Sequence, residues 1–235
     1  KPTTRLELGI ALDSPVYDDY FGYLEQRQLP IIWHVGDPAP FYDEARCPRW
    51  ATLNGWSYVG KAAQPLEALR REIEGVLKNH PRLRVIFAHF YFMSDEMDRA
   101  ADFLDAHPSV SVDLTPGTEM YYNFGRNLDA TRDFFLKYQD RILYGTDSGM
   151  GSELGDEVKL ANALENQTAV MRFLEEDADV LLDWPEGLEP TKPYEFFGWS
   201  GRIHGIALPP EVLRKIYWEN FDHAIHGAIR AVNLE

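Results

Sequence analysis

The sequence predicts an α/β fold in which helices cover the faces of a parallel sheet. Short apolar runs recur along the chain and alternate with stretches whose apolar residues follow helical spacing. The segments NHPRLRVIFAH and AHPSVSVDLTP also repeat one arrangement, in which a helix ends at His-Pro and a buried strand follows. Strands apolar enough to be covered on both faces indicate a parallel sheet, either an open doubly wound sheet or a barrel.

Five strands are predicted in chain order, at residues 6–12, 31–34, 84–89, 110–114 and 141–146. Predicted helices run from Ser14-Pro15 to about 28, from Pro65 to 80, from a cap at Ser94 to 107, and over about 127–138. Then come a helix near 157–175, an irregular stretch rich in Pro, Gly and Trp over 183–208, and a last helix beginning at PPEVLRKIYWENF. No linker divides the sequence, so residues 1–235 form one predicted domain.

The charge and cysteine content of the sequence limit the kinds of molecule that the protein is expected to bind. A net charge of −15 repels phosphate backbones and anionic lipid, which argues against a nucleic-acid or membrane partner. The single cysteine, Cys47, excludes an intramolecular disulfide, and no run approaches the roughly 18 apolar residues that span a bilayer. We therefore expect a cytoplasmic protein whose partner is a small-molecule substrate, and a homodimer stays open.

Polar side chains recur where the predicted strands end. His34 ends IIWH, His89 ends VIFAH and Asp147 ends ILYGTD, whereas Asp113 lies inside VSVDL. In a parallel barrel the carboxyl ends of the strands form one rim, where active sites are built, so the first three side chains are expected to converge. Two imidazoles and a carboxylate suit Zn²⁺ or a similar divalent ion. A structural role is the alternative for each residue alone. Asp113 is either a rim residue or a hydrogen-bonded strand carboxylate, and the second interpretation is favoured.

The other histidines have weaker claims to a functional role. His80 and His107 each precede a proline at a helix-to-strand turn, on the opposite end of such a sheet, and both are interpreted as structural. His223 and His226 have a metal-compatible spacing on the last helix, yet a solvated or packed helix face is the favoured interpretation. His204 stays ambiguous.

The ordered segments LELGIALDSP, LPIIWHVGDP, HPRLRVIFAHF, HPSVSVDLTPG, DRILYGTDSG and LPPEVLRKIYWENF resemble the amidohydrolase superfamily. The similarity is to the amidohydrolase-2 branch, which includes aromatic-acid decarboxylases and lactonases, and it covers nearly the whole chain. It implies a (β/α)₈ barrel of the TIM type with a bound divalent ion, Zn²⁺ first and Mn²⁺ second. In that barrel His34 is a metal ligand, Asp147 is a ligand or the proton-handling carboxylate, and His89 polarises or protonates the substrate.

One feature of the family is missing from the sequence. The family's first strand carries His-x-His, which supplies two metal ligands, and no such motif occurs in these 235 residues. The five predicted strands align with the fourth to eighth of the barrel. At about 31 residues per βα unit, roughly 90 residues would precede them, and we expect the first three units to be absent from this chain. A partial barrel that has lost its metal site is the alternative.

The expected function is that of a metal-dependent hydrolase acting on a small carboxylated, amide or lactone substrate. Non-oxidative decarboxylation on the same metal site is one alternative, and a non-catalytic barrel remnant that serves as a binding scaffold is another. His89 is the expected general acid/base, and Asp147 accepts or delivers the proton.

Two segments are expected to contact the substrate. The loop GDPAPFYDEARCPRWATLNGWSY is interpreted as a lid or pocket wall, with Asp37, Trp56 and Tyr58 as substrate-binding residues beside Phe41 and Trp50. In TPGTEMYYNF, Glu119 is the candidate that reaches the site. Surface packing over the barrel mouth is the alternative for both segments.

Overall fold

A four-stranded parallel sheet forms the centre of the chain in the computed structural model, which describes residues 9–47, 49–53, 55–61, 65–116, 119–147, 167–180 and 203–225. The strands lie side by side in chain order. They are β1 (Ile31–Trp33), β2 (Val85–Phe87), β3 (Val110–Asp113) and β4 (Ile142–Leu143). Four of the five predicted strands, and the parallel α/β fold, are confirmed.

Helices connect the strands. After a 3₁₀ turn over Pro15–Tyr17 come α1 (Asp18–Arg27), α2 (Arg49–Leu53), α3 (Leu66–Asn79), α4 (Met97–Ala106), α5 (Met120–Gly125) and α6 (Leu128–Lys137). Residues 167–175 form α7, and α8 (Pro210–Arg214) continues through a π-helical turn, Lys215–Glu219, to residue 225. The short helix α2 lies in a segment predicted as a loop, and α5 was not predicted.

The two faces of the sheet are covered differently. Val85, Phe87, Val110 and Val112 belong to the main core, where α3 buries its apolar face at Leu69, Ile73, Val76 and Leu77. Full burial of such a side chain stabilises the fold by about 1.5–3 kcal/mol. On the opposite face, Ile86 and Leu143 form a small cluster with Ala224 of the last helix. Ile32, the strand partner of Ile86, is 67% exposed, so this face is open at β1.

The predicted first strand is wrong over its described part. Residues 9–12 are irregular, and the backbone N–H of Leu12 donates to a Glu72 carboxylate oxygen at 2.9 Å instead of to a strand. Residues 6–8 lie outside the described residues. The fourth strand of the sheet is also shorter than predicted, because the N–H of Tyr144 donates to the carbonyl of Ile216 at 2.8 Å and so leaves the sheet.

The predicted start of α4 and the predicted structure of the C-terminal part of the chain also need correction, and some of the latter lies outside the described residues. Helix α4 begins after Glu96, and Ser94, the predicted cap, instead accepts a hydrogen bond from Asn123 Nδ2 at 2.9 Å. Two short antiparallel strands that were not predicted, β5 (Asp179–Val180) and β6 (Ile203–His204), pair Asp179 with His204. The predicted helix start at 157–166 and the stretch 183–202 lie outside the described residues. None of the described helices is both long and apolar enough to cross a membrane.

Candidate active site

Two imidazoles meet at the carboxyl ends of adjacent strands. His34 directly follows β1, and His89 follows β2 by two residues. Their ring centroids are 4.8 Å apart and the ring planes are inclined by 81°, an edge-to-face contact. The Phe92 ring contacts both, with centroids 5.3 Å from His34 and 5.3 Å from His89. The parallel register of β1 and β2 thus places both predicted histidines on one rim.

A left-handed turn presents His89 to that rim. Four successive residues, His89 to Phe92, have φ between 51° and 55°. This conformation costs about 1–2 kcal/mol for each residue that is not glycine, so the surroundings must hold it in place. All four side chains are buried, and the Phe90 ring lies 5.0 Å from that of Phe124 while the Tyr91 ring stacks 4.2 Å from that of Phe87. Aromatic packing therefore offsets part of the backbone strain.

Asp113 at the end of β3 holds the start of this turn. Its Oδ1 accepts the backbone N–H of His89 at 2.9 Å and that of Thr115 at 3.0 Å. Burial raises the pKa of Asp113, and the donated N–H groups of His89 and Thr115 partly oppose that rise. The prediction of a hydrogen-bonded strand carboxylate is confirmed.

The same strand end orients the His89 ring. Nδ1 of His89 lies 3.2 Å from the carbonyl oxygen of Thr115. A carbonyl only accepts, so Nδ1 carries the hydrogen and Nε2 is the basic nitrogen of the neutral ring. Gly145 passes close by, because a Cβ there would collide with Thr115 Oγ1 and lie 3.4 Å from Asp113 Cγ.

The donor set of the described residues is incomplete for a metal. Asp147 is exposed and has a left-handed φ of 52°. Among the described residues no three or more His, Cys, Asp or Glu side chains are placed to hold one ion. His34, His89 and Asp147 therefore do not form a three-donor group by themselves. The imidazole nitrogens suit Zn²⁺ chemically, but a catalytic zinc site uses about three protein ligands.

Two of the predicted substrate-binding residues bond to each other. Tyr58 donates its hydroxyl hydrogen to Asp37 Oδ2 at 2.5 Å, and its ring stacks on Tyr42 with centroids 4.5 Å apart. Burial first, and Asp37 second, raise the pKa of both tyrosines well above the usual range, so both stay protonated. The N–H of Tyr58 also donates to the carbonyl of Phe41 at 2.8 Å. The loop after His34 is thereby folded back on itself.

Glu119 is buried in the same cleft as Phe92, whereas Trp56 is half exposed. Glu119 is buried and lines a small cleft whose wall includes Phe92, the residue in contact with both imidazoles. Pro38, Asn123, Arg46 and Arg126 complete much of that wall. Trp56 is 48% exposed, and the side chain of Trp50 lies outside the described residues.

Comparison with known proteins supports the fold and the family. Residues 4–220 match the family model described as amidohydrolase. The chain belongs to the amidohydrolase family. It is similar in structure to an uncharacterized TIM-barrel protein from Bordetella bronchiseptica, with 15% sequence identity and a TM-score of 0.50, over 94% of this chain and 54% of that one. The chain thus spans about half the length of that protein, and the likeness confirms the TIM-barrel fold class. No curated protein matched the chain.

His80 and His107 of this amidohydrolase chain lie at the end of the sheet opposite the rim. His80 and His107 cap the carboxyl ends of α3 and α4, next to the amino ends of β2 and β3. Nε2 of His107 lies 2.8 Å from a Glu74 carboxylate oxygen. His223 is exposed, and His226 lies outside the described residues.

Sequence reasoning missed two residues of the site, Phe92 and Arg70. Phe92 belongs to the aromatic run HFYF, which is typical of a buried strand continuation and gives no sign of a left-handed turn. Arg70, on α3, donates to the carbonyl of Phe92 at 3.2 Å and is buried. A charged residue on a helix is usually assigned to solvent, so no sequence signal placed Arg70 beside the site.

Proposed function

We propose that this chain provides the His34–His89 rim of a metal-dependent hydrolase that acts on a small carboxylated, amide or lactone substrate. One observation supports this proposal above the others, namely the edge-to-face contact of the two imidazoles, 4.8 Å apart, at adjacent strand ends. In a barrel of parallel strands this rim is where catalytic side chains gather. Membership of the amidohydrolase family makes a hydrolytic reaction the first choice.

His34 and Asp147 are the proposed metal ligands, together with donors from outside the described residues. The ion, Zn²⁺ first and Mn²⁺ second, would polarise a substrate carbonyl or lower the pKa of a bound water. Neutral imidazole and carboxylate are ligands that both ions accept.

His89 is the proposed general acid/base, and its surroundings favour that role. The Nδ1 hydrogen is directed at the Thr115 carbonyl at 3.2 Å, which leaves Nε2 to take up and return a proton. The backbone bond from His89 to Asp113 keeps the ring at the rim. Asp37 and Tyr58 are the proposed polar contacts to the substrate, and Glu119 and Trp56 are the proposed walls.

Non-oxidative decarboxylation on the same site is the second candidate. Arg46 and Arg126 line the cleft beside Phe92, and a guanidinium suits a carboxylate, the group that such a reaction removes. A non-catalytic scaffold is the third candidate, and one observation favours it, since the described residues hold no three-donor group.

Chelation and metal restoration distinguish these three candidates. The protein, prepared as the cell makes it, is assayed with panels of amides, lactones and aromatic acids, and both acid release and CO₂ release are followed. Our proposal predicts hydrolysis that a chelator abolishes and Zn²⁺ or Mn²⁺ restores. Metal-dependent CO₂ release would identify the decarboxylase, and ligand binding without turnover would identify the scaffold. Hydrolysis that is insensitive to a chelator would contradict the metal role.

A further inference from the structure

Arg70 is a buried guanidinium on α3 with acceptors on two sides. Its side chain is 6% exposed. Nη1 lies 2.8 Å from a Glu67 oxygen and 2.9 Å from a Glu96 oxygen. Nη2 donates to the backbone carbonyl of Phe92 at 3.2 Å. One planar group therefore connects two surface carboxylates to the strand-end turn, a geometry that the guanidinium fork allows.

The carbonyl that Arg70 reaches belongs to the last residue of the left-handed turn. Asp113 holds the first residue of that turn through the N–H of His89 at 2.9 Å. The turn is thus fixed at both ends by side chains from different elements, Asp113 of β3 and Arg70 of α3. Arg70 thus holds the backbone of Phe92, and the ring of the same residue contacts both His34 and His89. Any shift at the Phe92 carbonyl changes the surface on which both imidazoles rest.

We propose that Arg70 is a positioning residue, which holds Phe92 and thereby keeps the His89 ring in edge contact with His34. The claim that Arg70 fixes the ring geometry is based on the contacts of Arg70 alone. The claim that this geometry matters for catalysis rests on the proposed function. Four consecutive left-handed residues are strained, and a strained segment persists only where its surroundings over-determine it. Removal of Arg70, one of the two side chains that hold the turn, therefore releases it.

Arg99 provides a matched control within the same ion-pair network. Its guanidinium donates to Glu67 at 2.8 Å and to Glu96 at 3.0 Å, the two carboxylates that Arg70 also uses. The Arg99 side chain is 41% exposed and its partners lie on the network, not on the turn. Loss of Arg99 thus disturbs the same glutamates and leaves the Phe92 carbonyl with its donor.

The test measures the geometry of the two rings directly. The 235-residue protein with labelled histidines is prepared in four forms, wild type, Arg70→Met, Arg70→Lys and Arg99→Met. The ring resonances are assigned by His34→Gln and His89→Gln. We expect a nuclear Overhauser effect between the His34 and His89 rings in wild type and Arg99→Met, and its loss in both Arg70 variants. Lysine keeps a positive charge near Glu67 and Glu96, but its single ammonium group cannot bond to these carboxylates and to the Phe92 carbonyl at the same time.

Arg70→Lys decides the outcome if Arg70→Met does not fold, because lysine keeps a positive charge beside Glu67 and Glu96. A folded Arg70→Lys variant that keeps the inter-ring signal at its wild-type strength would overturn the proposal. Loss of the signal in Arg99→Met to the same degree would also overturn it, since the network and not Arg70 would then hold the turn.

Kinetics separate this proposal from the proposed function. In the active protein, Arg70→Lys should lower kcat, leave KM little changed and shift the pH profile of kcat. Arg99→Met should leave kcat, KM and the pH profile near their wild-type values. If His89→Asn has no effect on turnover, the proposed function fails even where the ring geometry depends on Arg70. If His89→Asn abolishes turnover but Arg70→Lys changes neither geometry nor pH profile, the positioning role fails alone.

Discussion

The backbone N–H of His89 donates to Oδ1 of Asp113 on the neighbouring strand at 2.9 Å, and this bond sets the start of the left-handed turn. The same oxygen accepts the N–H of Thr115. Asp113→Ala leaves both buried amides without their acceptor, and we expect a loss of about 2–4 kcal/mol in the free energy of unfolding. Asp113→Asn keeps Oδ1 and should lose less. Urea unfolding measures both, and equal losses would contradict the acceptor role.

Stability should also depend on pH through Asp113. Burial raises the pKa of Asp113, so the folded chain holds a proton that the unfolded chain releases above an ordinary Asp pKa of about 3.9. The contribution of Asp113 to the free energy of unfolding therefore falls as pH rises from about 3.9 through the raised pKa. The stability of wild type relative to Asp113→Asn should decline across this window in unfolding experiments. If the stability of wild type relative to Asp113→Asn instead increased with pH, the raised pKa of Asp113 would be contradicted.

Gly145 should not tolerate a side chain. A Cβ at this position would collide with Thr115 Oγ1 and approach the Thr115 nitrogen to 3.2 Å. We expect Gly145→Ala to destabilise the fold by about 1–3 kcal/mol, because a packed neighbour must move. Gly125→Ala is the control, since a Cβ at the end of α5 meets nothing within 4 Å. Similar melting temperatures for the two variants would show that the approach at Gly145 is not a constraint.

His204 should stabilise the β5–β6 pair in a pH-dependent manner. Its ring nitrogens lie 2.9 Å from an Asp179 oxygen and 3.1 Å from an Asp177 oxygen, and these carboxylates, Asp179 first, raise its pKa. A raised histidine pKa gives stability that is fully present below the ordinary value of about 6.5 and is lost as pH rises through the raised value. The difference in melting temperature between wild type and His204→Gln should therefore shrink at alkaline pH. A difference that grows with pH would contradict the ion pair.

The sheet was predictable because its strands are apolar runs between helical repeats. Val85, Phe87, Val110 and Val112 are buried on the helix side as the pattern requires. The first predicted strand was wrong over residues 9–12, because such a run is also compatible with irregular structure whose N–H groups find side-chain acceptors, as Leu12 finds Glu72. Strands β5 and β6, which have two residues each, were missed, because neither segment lies in the repeat of helix end, His-Pro and apolar run that marks the strands of the sheet.

The pairing of His34 with His89 was predictable from strand ends, but the backbone that achieves it was not. Left-handed residues are usually signalled by glycine, and the turn from His89 to Phe92 contains none. Its conformation depends on tertiary partners, Asp113 at one end and Arg70 at the other, which no local pattern encodes. The roles of Asp147, Asp37, Trp56 and Glu119 stay predictions.

Metal occupancy in two histidine variants tests the central claim most directly. Bound Zn²⁺ or Mn²⁺ per chain is measured by elemental analysis, and kcat is measured in parallel, for His34→Ala, His89→Ala and the control His107→Ala, whose ring pairs with Glu74 away from the rim. We predict that His34→Ala loses both metal and turnover, that His89→Ala keeps the metal but loses kcat, and that His107→Ala resembles wild type. Full metal occupancy in His34→Ala, or undiminished kcat in His89→Ala, would contradict the account.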